Sequence, residues 1–494
     1  MSQAAELPAG STFCVRLLHP VSSDRAQVGD LLEAALVAPI ELDGEVLMPA
    51  RTTLSGRVRA VHKVGFGIRR ERASLDLAFT MFHPRGREAV GFRARVSAVE
   101  NARESVSKTG VVRGTLATEV PQTFISYRIF QLAFLNPIPN PGRHIWQSAF
   151  PFFPQPEIRL PTGTDLWLTL TDPLQLEPAG VWKAESPPAL EPSMIPAQVL
   201  SKKGKPADVV NLVFLATEEE LDEAFERSGW DQAREAGIRD VFRSARNVFE
   251  QSYHPNQPMS RMKLYDRYAD RQYQRGLNTY TKRHHLRIWK TGDEVEGKPV
   301  WVGAATHDIG LRFLWRRFHM THAIAPNIDL ERAKVGIDLS FSGCVAEAGM
   351  IERTGMAGRI RNAEGSMMET DGAVLAMRLK RCDHPRVGNP DEAMRLAKSD
   401  MHFLKRMLRR QVLLCRGDLL RLNVIWSAVS FTKKAVVAIA RPRGQRNPAE
   451  AMMIPNSLWS PGTEKVLSTS NVSVADSPLG IKGLVSTVNA PEFE

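Results

Sequence analysis

A chain of 494 residues is long enough for two or three domains, each burying its own core. Its 43% hydrophobic and 24% charged residues are those of an ordinary soluble globular protein. No apolar run approaches the about 18 residues that a membrane-crossing helix needs, which excludes a transmembrane segment of that kind. The net charge of +11 points to anionic surroundings, whether nucleic acid, phospholipid head groups or an envelope polymer.

The four cysteines, Cys14, Cys344, Cys382 and Cys415, lie far apart without CxxC or metal-type spacing. No disulfide framework is indicated, and the thiols are expected as small buried hydrophobes. The opening MSQAAELPAG has neither a basic start nor an apolar core, so no signal peptide is read in the given chain. It reads like the small, polar start of a mature exported chain. Periplasm or cell envelope is expected if the start is truncated, and cytoplasm otherwise.

Residues 1–125 read as a β-rich domain, a small barrel or sandwich. Alternating stretches such as TFCVRLL, LSGRVRAV, ASLDLAF and FRARVSAV are separated by Gly, Asp and Pro, and Asp43-Gly44 is a hairpin signal. One device recurs: LPAGSTFCVRLLHPV (Leu7 to Val21) matches LPTGTDLWLTLTDPL (Leu160 to Leu174). In both, a Pro-x-Gly turn launches an alternating strand. LMPARTTLSGRV (Leu47 to Val58) is a third version, with Arg51 where the glycine would stand.

Between Pro137 and Pro196 lie 13 of the 32 prolines, a density that opposes helix and central strand. Residues 126–196 therefore read as a linker that contributes a strand at 158–172. From 197 to 390 strands and helices alternate, giving an α/β domain with a mixed sheet. Asp208 to Ala216 is a buried strand, and Thr217 with Glu220 forms a capping box for a helix that Gly229 stops. A second helix is expected over about Asp231 to Gln251. HHLRIW and PVWVGAAT are two strands joined at Glu296-Gly297. DLERAKVGIDLS is a helix capped by Asp329, and Met367 to Arg381 is a hairpin about Asp371-Gly372. Residues 391–494 hold a basic helix and a weakly ordered tail. The helix, near 392–414, carries Met394, Leu396, Met401, Leu404 and Leu408 at helical spacing beside Lys405, Arg406, Arg409 and Arg410. It docks on the domain or lies on an anionic membrane surface. The fold class is thus α+β: a small β unit, a Pro-rich linker, a mixed-sheet domain and a helical basic extension.

Five of the 12 histidines, His284, His285, His307, His319 and His322, fall within 39 residues. Strand parity separates them. His284, Leu286 and Ile288 share one face, while His285, Arg287 and Trp289 share the other. With Glu296-Gly297 as the turn, Val295 pairs with Lys298 and Leu286 with His307. His307 then joins the His284 face, one row offset, with Trp301 and Gly303, and His285 and Asp308 take the opposite face. His284, Trp301 and His307 are the candidate ligand pocket, amid mostly structural histidines. No cofactor is expected. The alternative is a divalent metal held by His284, His307 and either His319 or His322, in a metal-assisted hydrolase with Asp308 as base. Asp329 is the other carboxylate near the cluster. No HExxH, GxSxG, GxxxxGK(S/T) or post-strand GxGxxG is present.

NLVFLATEEELDEAFERSGW, RHHLRIW, GKPVWVGAATHD, TH…D…ER and TDG follow in that order, and over about residues 205–385 the chain resembles the LssY C-terminal domain family. That family occurs in bacterial, often envelope-associated, proteins, and the resemblance implies no particular reaction. The chain departs from the family at LYDRYADRQYQR (Leu264 to Arg275), where a glycine-arginine segment is usual. It departs again at THAIAPNID (Thr321 to Asp329), which lacks a second histidine and an aspartate. LPAGSTFCVRLLHPVSSDRAQVGD is similar to β-domains of TrbI-type conjugation and secretion scaffold proteins. Together these imply a binding or scaffolding role at the cell envelope, with an anionic envelope component or a partner protein as ligand and without nucleic acid.

Overall fold

The computed structural model describes residues 4–43, 45–116, 153–181, 187–233, 259–314, 319–362, 365–389 and 401–417, with a few single positions besides. The first strands are β1 (Thr12–Leu17), β2 (Leu31–Leu36), β3 (Thr53–His62), β4 (Ser74–His83), β5 (Ala94–Val99) and β6 (Asp165–Leu170). They form one sheet in the order β5-β6-β1-β2-β3-β4, extended by short strands, which curls into a nearly closed barrel. Alternation does this: on β3 and β4 every second residue (Leu54, Val58, Leu75, Leu77, Phe79) is buried in a common core.

The recurring sequence device explains the seam. β1 and β6 run antiparallel, with Val15 opposite Leu166 and Cys14 opposite Trp167. Each Pro-x-Gly-Ser/Thr turn clamps the far end of the other's strand. Gly10 N donates to Leu170 O (2.9 Å) and Gly163 N donates to Leu17 O (2.8 Å). Ser11 and Thr164 hydroxyls close their own turns on Pro8 O and Pro161 O. The third version works the same way: Arg51 N donates to Leu36 O (2.7 Å), with Arg51 itself in the left-handed region at φ +64°. That is strained for a non-glycine residue, and the turn holds it there.

The later unit comprises β7 (Leu212–Leu215), α1 (Glu218–Arg227), β8 (Arg271–Arg275), β9 (Arg283–Val295), β10 (Lys298–Leu314), β11 (His319–Ile324), α2 (Asp329–Phe341), β12 (Val345–Ile351) and β13 (Val374–Leu379). Its sheet runs β8-β9-β10-β7-β13-β12, with Asp231–Gln232 outside β8 and β11 on the far half of β10. The β7–β13 pair is parallel and the rest antiparallel, so the sheet is mixed. The Thr217–Glu220 capping box starts α1. Gly229, at φ +85°, ends it, with Trp230 N bonded to Phe225 O and Gly229 N to Glu226 O. A final helix, α3 (Phe403–Gly417), docks on the barrel core through Leu413.

Four local readings change. The strands Met367–Thr370 and Val374–Leu379 do not pair with each other: the first pairs with Gly358–Arg361, the second with β7 and β12. Asp329 causes this by accepting from Asp371 N (2.8 Å) and Thr370 Oγ1 (2.8 Å), which turns the chain out of one sheet and into the other. Asp329 is the first residue of α2 rather than its cap, and Asn327 Oδ1 accepts its backbone N–H (3.0 Å). Cys344 and Cys382 are joined by a disulfide, against the reading of four isolated thiols. Antiparallel pairing of Val345 with Leu379 brings these cysteines, 38 residues apart, to the same sheet end. Asp231–Gln232 is a strand pair with β8, and most of the helix expected over Asp231 to Gln251 lies outside the described residues, as does the tail from 440 to 494.

Candidate functional site

β9 and β10 form the hairpin that carries the histidines, and Val295 pairs with Lys298 across Glu296-Gly297. A bulge between Lys290 and Glu294 moves the register by two residues, so His284 lies directly opposite His307 and Leu286 opposite Ala305. A two-residue shift preserves parity, so each side chain keeps its expected face. The rings of His284 and His307 stack at 4.3 Å with a 25° interplanar angle. His307 Nε2 donates to Asn101 Oδ1 of the barrel (2.7 Å).

His284 is nearly inaccessible and sits between two carboxylates. Its Nδ1 donates to Glu331 Oε2 of α2 (2.7 Å), and its Nε2 lies 3.4 Å from Glu100 Oε1, just beyond β5. The second contact is within ion-pair range but lacks hydrogen-bond geometry. Burial alone would push His284 down, but Glu331 and Glu100 outweigh it and hold its pKa up at about 9. Burial and the neighbouring His284 charge hold His307 well below the ordinary range. One ring of the stack is therefore charged and the other neutral.

From His284 the polar network extends between barrel and later unit. α2 presents Glu331, Lys334 and Asp338, all buried. Asp338 accepts from Arg16 of β1 (2.7 Å), Lys334 (2.9 Å) and Trp230 Nε1 (3.1 Å), and forms an ion pair with Arg275 of β8 (2.8 Å). Asp165, at the start of β6, takes both arms of Arg16 (2.7 and 2.9 Å), Arg275 (2.9 Å) and Lys334 (2.8 Å). Lys334 also reaches Glu100 (3.2 Å). Arg16, Arg275, Lys334 and protonated His284 thus face Asp165, Asp338, Glu100 and Glu331, four cations against four carboxylates. Burial opposes the charge on Asp165, but Arg16, Arg275 and Lys334 overcome it and hold the carboxyl well below its usual range. Lys334 is held above its usual range, where Asp165, Asp338 and Glu100 overcome burial.

The other face of the hairpin holds a second cluster. Asp308 meets His285 Nε2 (3.0 Å), Arg283 Nε (3.2 Å) and His322 Nδ1 (3.3 Å). Burial opposes its charge, but His285, His322 and Arg283 drive its pKa far below the carboxylate range. A carboxylate so stabilised is a weak base.

Of the residues singled out in the sequence, the structure brings His284 and His307 together. His322 sits with Asp308 on the opposite face, and the His319 side chain lies outside what is described. Trp301 shares the His284 face but stands six residues from His307, about 20 Å along the strand. It is buried in the core there, with Nε1 donating to Ala216 O (2.9 Å). Glu331, not a third histidine, completes a group with His284 and His307 whose potential ligand atoms lie within 4.8 Å of one another. The stacking bears on whether that group fits a metal. Imidazole lone pairs lie in the ring planes, so two nearly parallel rings aim them side by side and not at one ion, and the Nδ1 nearest Glu331 carries a proton. The three groups stand close enough to reach one ion, while the stacking of the two rings opposes their joint coordination. Glu331, Glu100, Asn101 and the Asp165–Asp338 network were not singled out in the sequence.

Residues 193–374 match the model of the family described as LssY C-terminus, the similarity that the motifs led one to expect. No curated protein matches the chain. Among solved structures, ComB10 of the Com type IV secretion system of Helicobacter pylori is similar over 34% of this chain and 89% of that chain. Its 12% identity and TM-score of 0.20 carry no structural argument. No described helix is long and apolar enough to cross a membrane.

Proposed function

We propose that this chain is a non-catalytic binding or scaffolding protein of the bacterial cell envelope, whose LssY C-terminus domain is locked to the N-terminal barrel as one mechanical unit. The observation that carries this reading is the buried, charge-balanced network between them. An active site keeps at least one reactive group open to substrate. Here each carboxylate of the network is held by cations, and the histidine stack is bracketed by Glu331, Glu100 and Asn101. The Cys344–Cys382 disulfide supports an oxidising compartment, since such bonds are rare where thiols are kept reduced.

A metal-assisted hydrolase is the rival, favoured by the closeness of His284, His307 and Glu331 and opposed by ring stacking. Elemental analysis and calorimetry of the purified chain decide between them. The scaffold reading expects no stoichiometric zinc or iron, no change in melting with a chelator, and one transition for both units. Stoichiometric metal whose removal lowers the melting temperature would sink it.

A further inference from the structure

Helix α3 has two halves with different surroundings. Its C-terminal half is seated on the barrel: Leu413 and Leu414 are buried, and Leu413 lies against Gly67, where a Cβ would stand 2.6 Å from its Cδ2. Arg416 donates to the carbonyls of Ile68 and Arg69. The N-terminal half projects from that seat. Phe403 is 56% exposed, Leu404 66%, Met407 40% and Leu408 56%. At about 100° per residue these four occupy one continuous arc, and Lys405 falls on the flank away from them. Of the five Lys and Arg between Phe403 and Gly417, Lys405 and Arg406 are exposed on this half, Arg409 and Arg410 are buried, and Arg416 pairs with Glu71 of the barrel loop (3.6 Å). Beside the docked end, the loop after β3 exposes Ile68 (67%), Arg69 and Arg70.

We infer that the exposed half of α3, with the Ile68–Arg70 loop, is a docking surface for an anionic lipid bilayer. Four large apolar side chains in water are costly to leave uncovered, and a contiguous set of them marks an interaction surface. Charge selects the occupant. An apolar arc flanked by exposed Lys405 and Arg406 matches the interfacial zone of a membrane, where the side chains enter the acyl boundary and Lys and Arg reach the phosphates. The chain's net charge of +11 adds a long-range attraction of the same sign. Because the C-terminal half is pinned to the barrel, the helix lies along the surface and does not insert across it. The inference names a partner class for the envelope role proposed above and rests on that role only for its compartment.

The test is co-sedimentation of the full chain with phosphatidylcholine vesicles, with and without phosphatidylglycerol, at low and high salt. Two double variants, Leu404→Asp with Leu408→Asp and Lys405→Glu with Arg406→Glu, are compared after circular dichroism shows native folding. These residues are exposed, so melting is expected to stay unchanged. Binding is expected to anionic vesicles only, to weaken with salt, and to drop by about tenfold or more in each variant. Absence of binding, equal binding to neutral vesicles, or unaltered binding by the variants would overturn the inference. A dimer of the wild type that the same substitutions dissociate would assign the face to a second copy, and also overturns it. None of these outcomes bears on metal content or on the shared unfolding of the two units.

Discussion

Asp338→Asn probes the network that joins the barrel to the later unit. The carboxylate is fully buried and receives Arg16, Arg275 and Lys334 at 2.7–2.9 Å, with Trp230 Nε1 at 3.1 Å. Asparagine keeps the shape, removes the charge and turns one oxygen into a donor facing cations. Four cations then face three carboxylates in a buried site. Breaking a buried ion pair from one side costs about 3–5 kcal/mol, because the orphaned charge stays desolvated. For units of this size that corresponds to a melting temperature lowered by roughly 10 °C. Urea and thermal unfolding of the purified variant read the effect. A cycle with Arg16→Met, which crosses from β1 to α2, is expected to give a coupling of about 1–3 kcal/mol. A loss below about 1 kcal/mol with additive single effects would show that these charges are solvated and that no lock exists.

Stability is expected to peak near pH 6.5, because the stacked histidines carry opposite shifts. His284 is raised to about 9, so its contribution is complete below its unfolded value of about 6.5 and is lost as pH rises toward 9. His307 is depressed, so the unfolded chain binds the proton that the folded chain refuses, and stability also falls as pH drops below about 6.5. Urea midpoints across pH check this. Glu331→Gln should flatten the alkaline limb, and an unchanged alkaline limb in that variant would contradict the assignment. Reduction of Cys344–Cys382 reopens a loop closed across 38 residues, for which chain entropy predicts a loss of up to about 4 kcal/mol. Unfolding with and without reductant reads it, and identical midpoints would show that the bond contributes nothing.

Much of the hairpin was decidable from local rules. Period-two alternation assigned His284 and His307 to one face and His285 and Asp308 to the other, and a bulge of two residues could not disturb that parity. The Pro-x-Gly repeat likewise announced equivalent strands, because its turn chemistry is written in adjacent residues. Such features depend on neighbours a few positions apart.

The partners of those side chains were decided elsewhere. Glu331, Lys334 and Asp338 lie on one side of α2, a pattern that in a sequence reads as a solvated stripe. Only the packing of α2 against β1, β6 and β8 desolvates them, by bringing Arg16, Asp165 and Arg275 from positions 63 to 322 residues away. Cys344 and Cys382 met for the same reason, through a strand pairing that neither cysteine specifies. The sequence determined which way each residue faces, since backbone periodicity is local. Tertiary structure decided what each residue faces, since burial and charge pairing arise only when distant segments close over them.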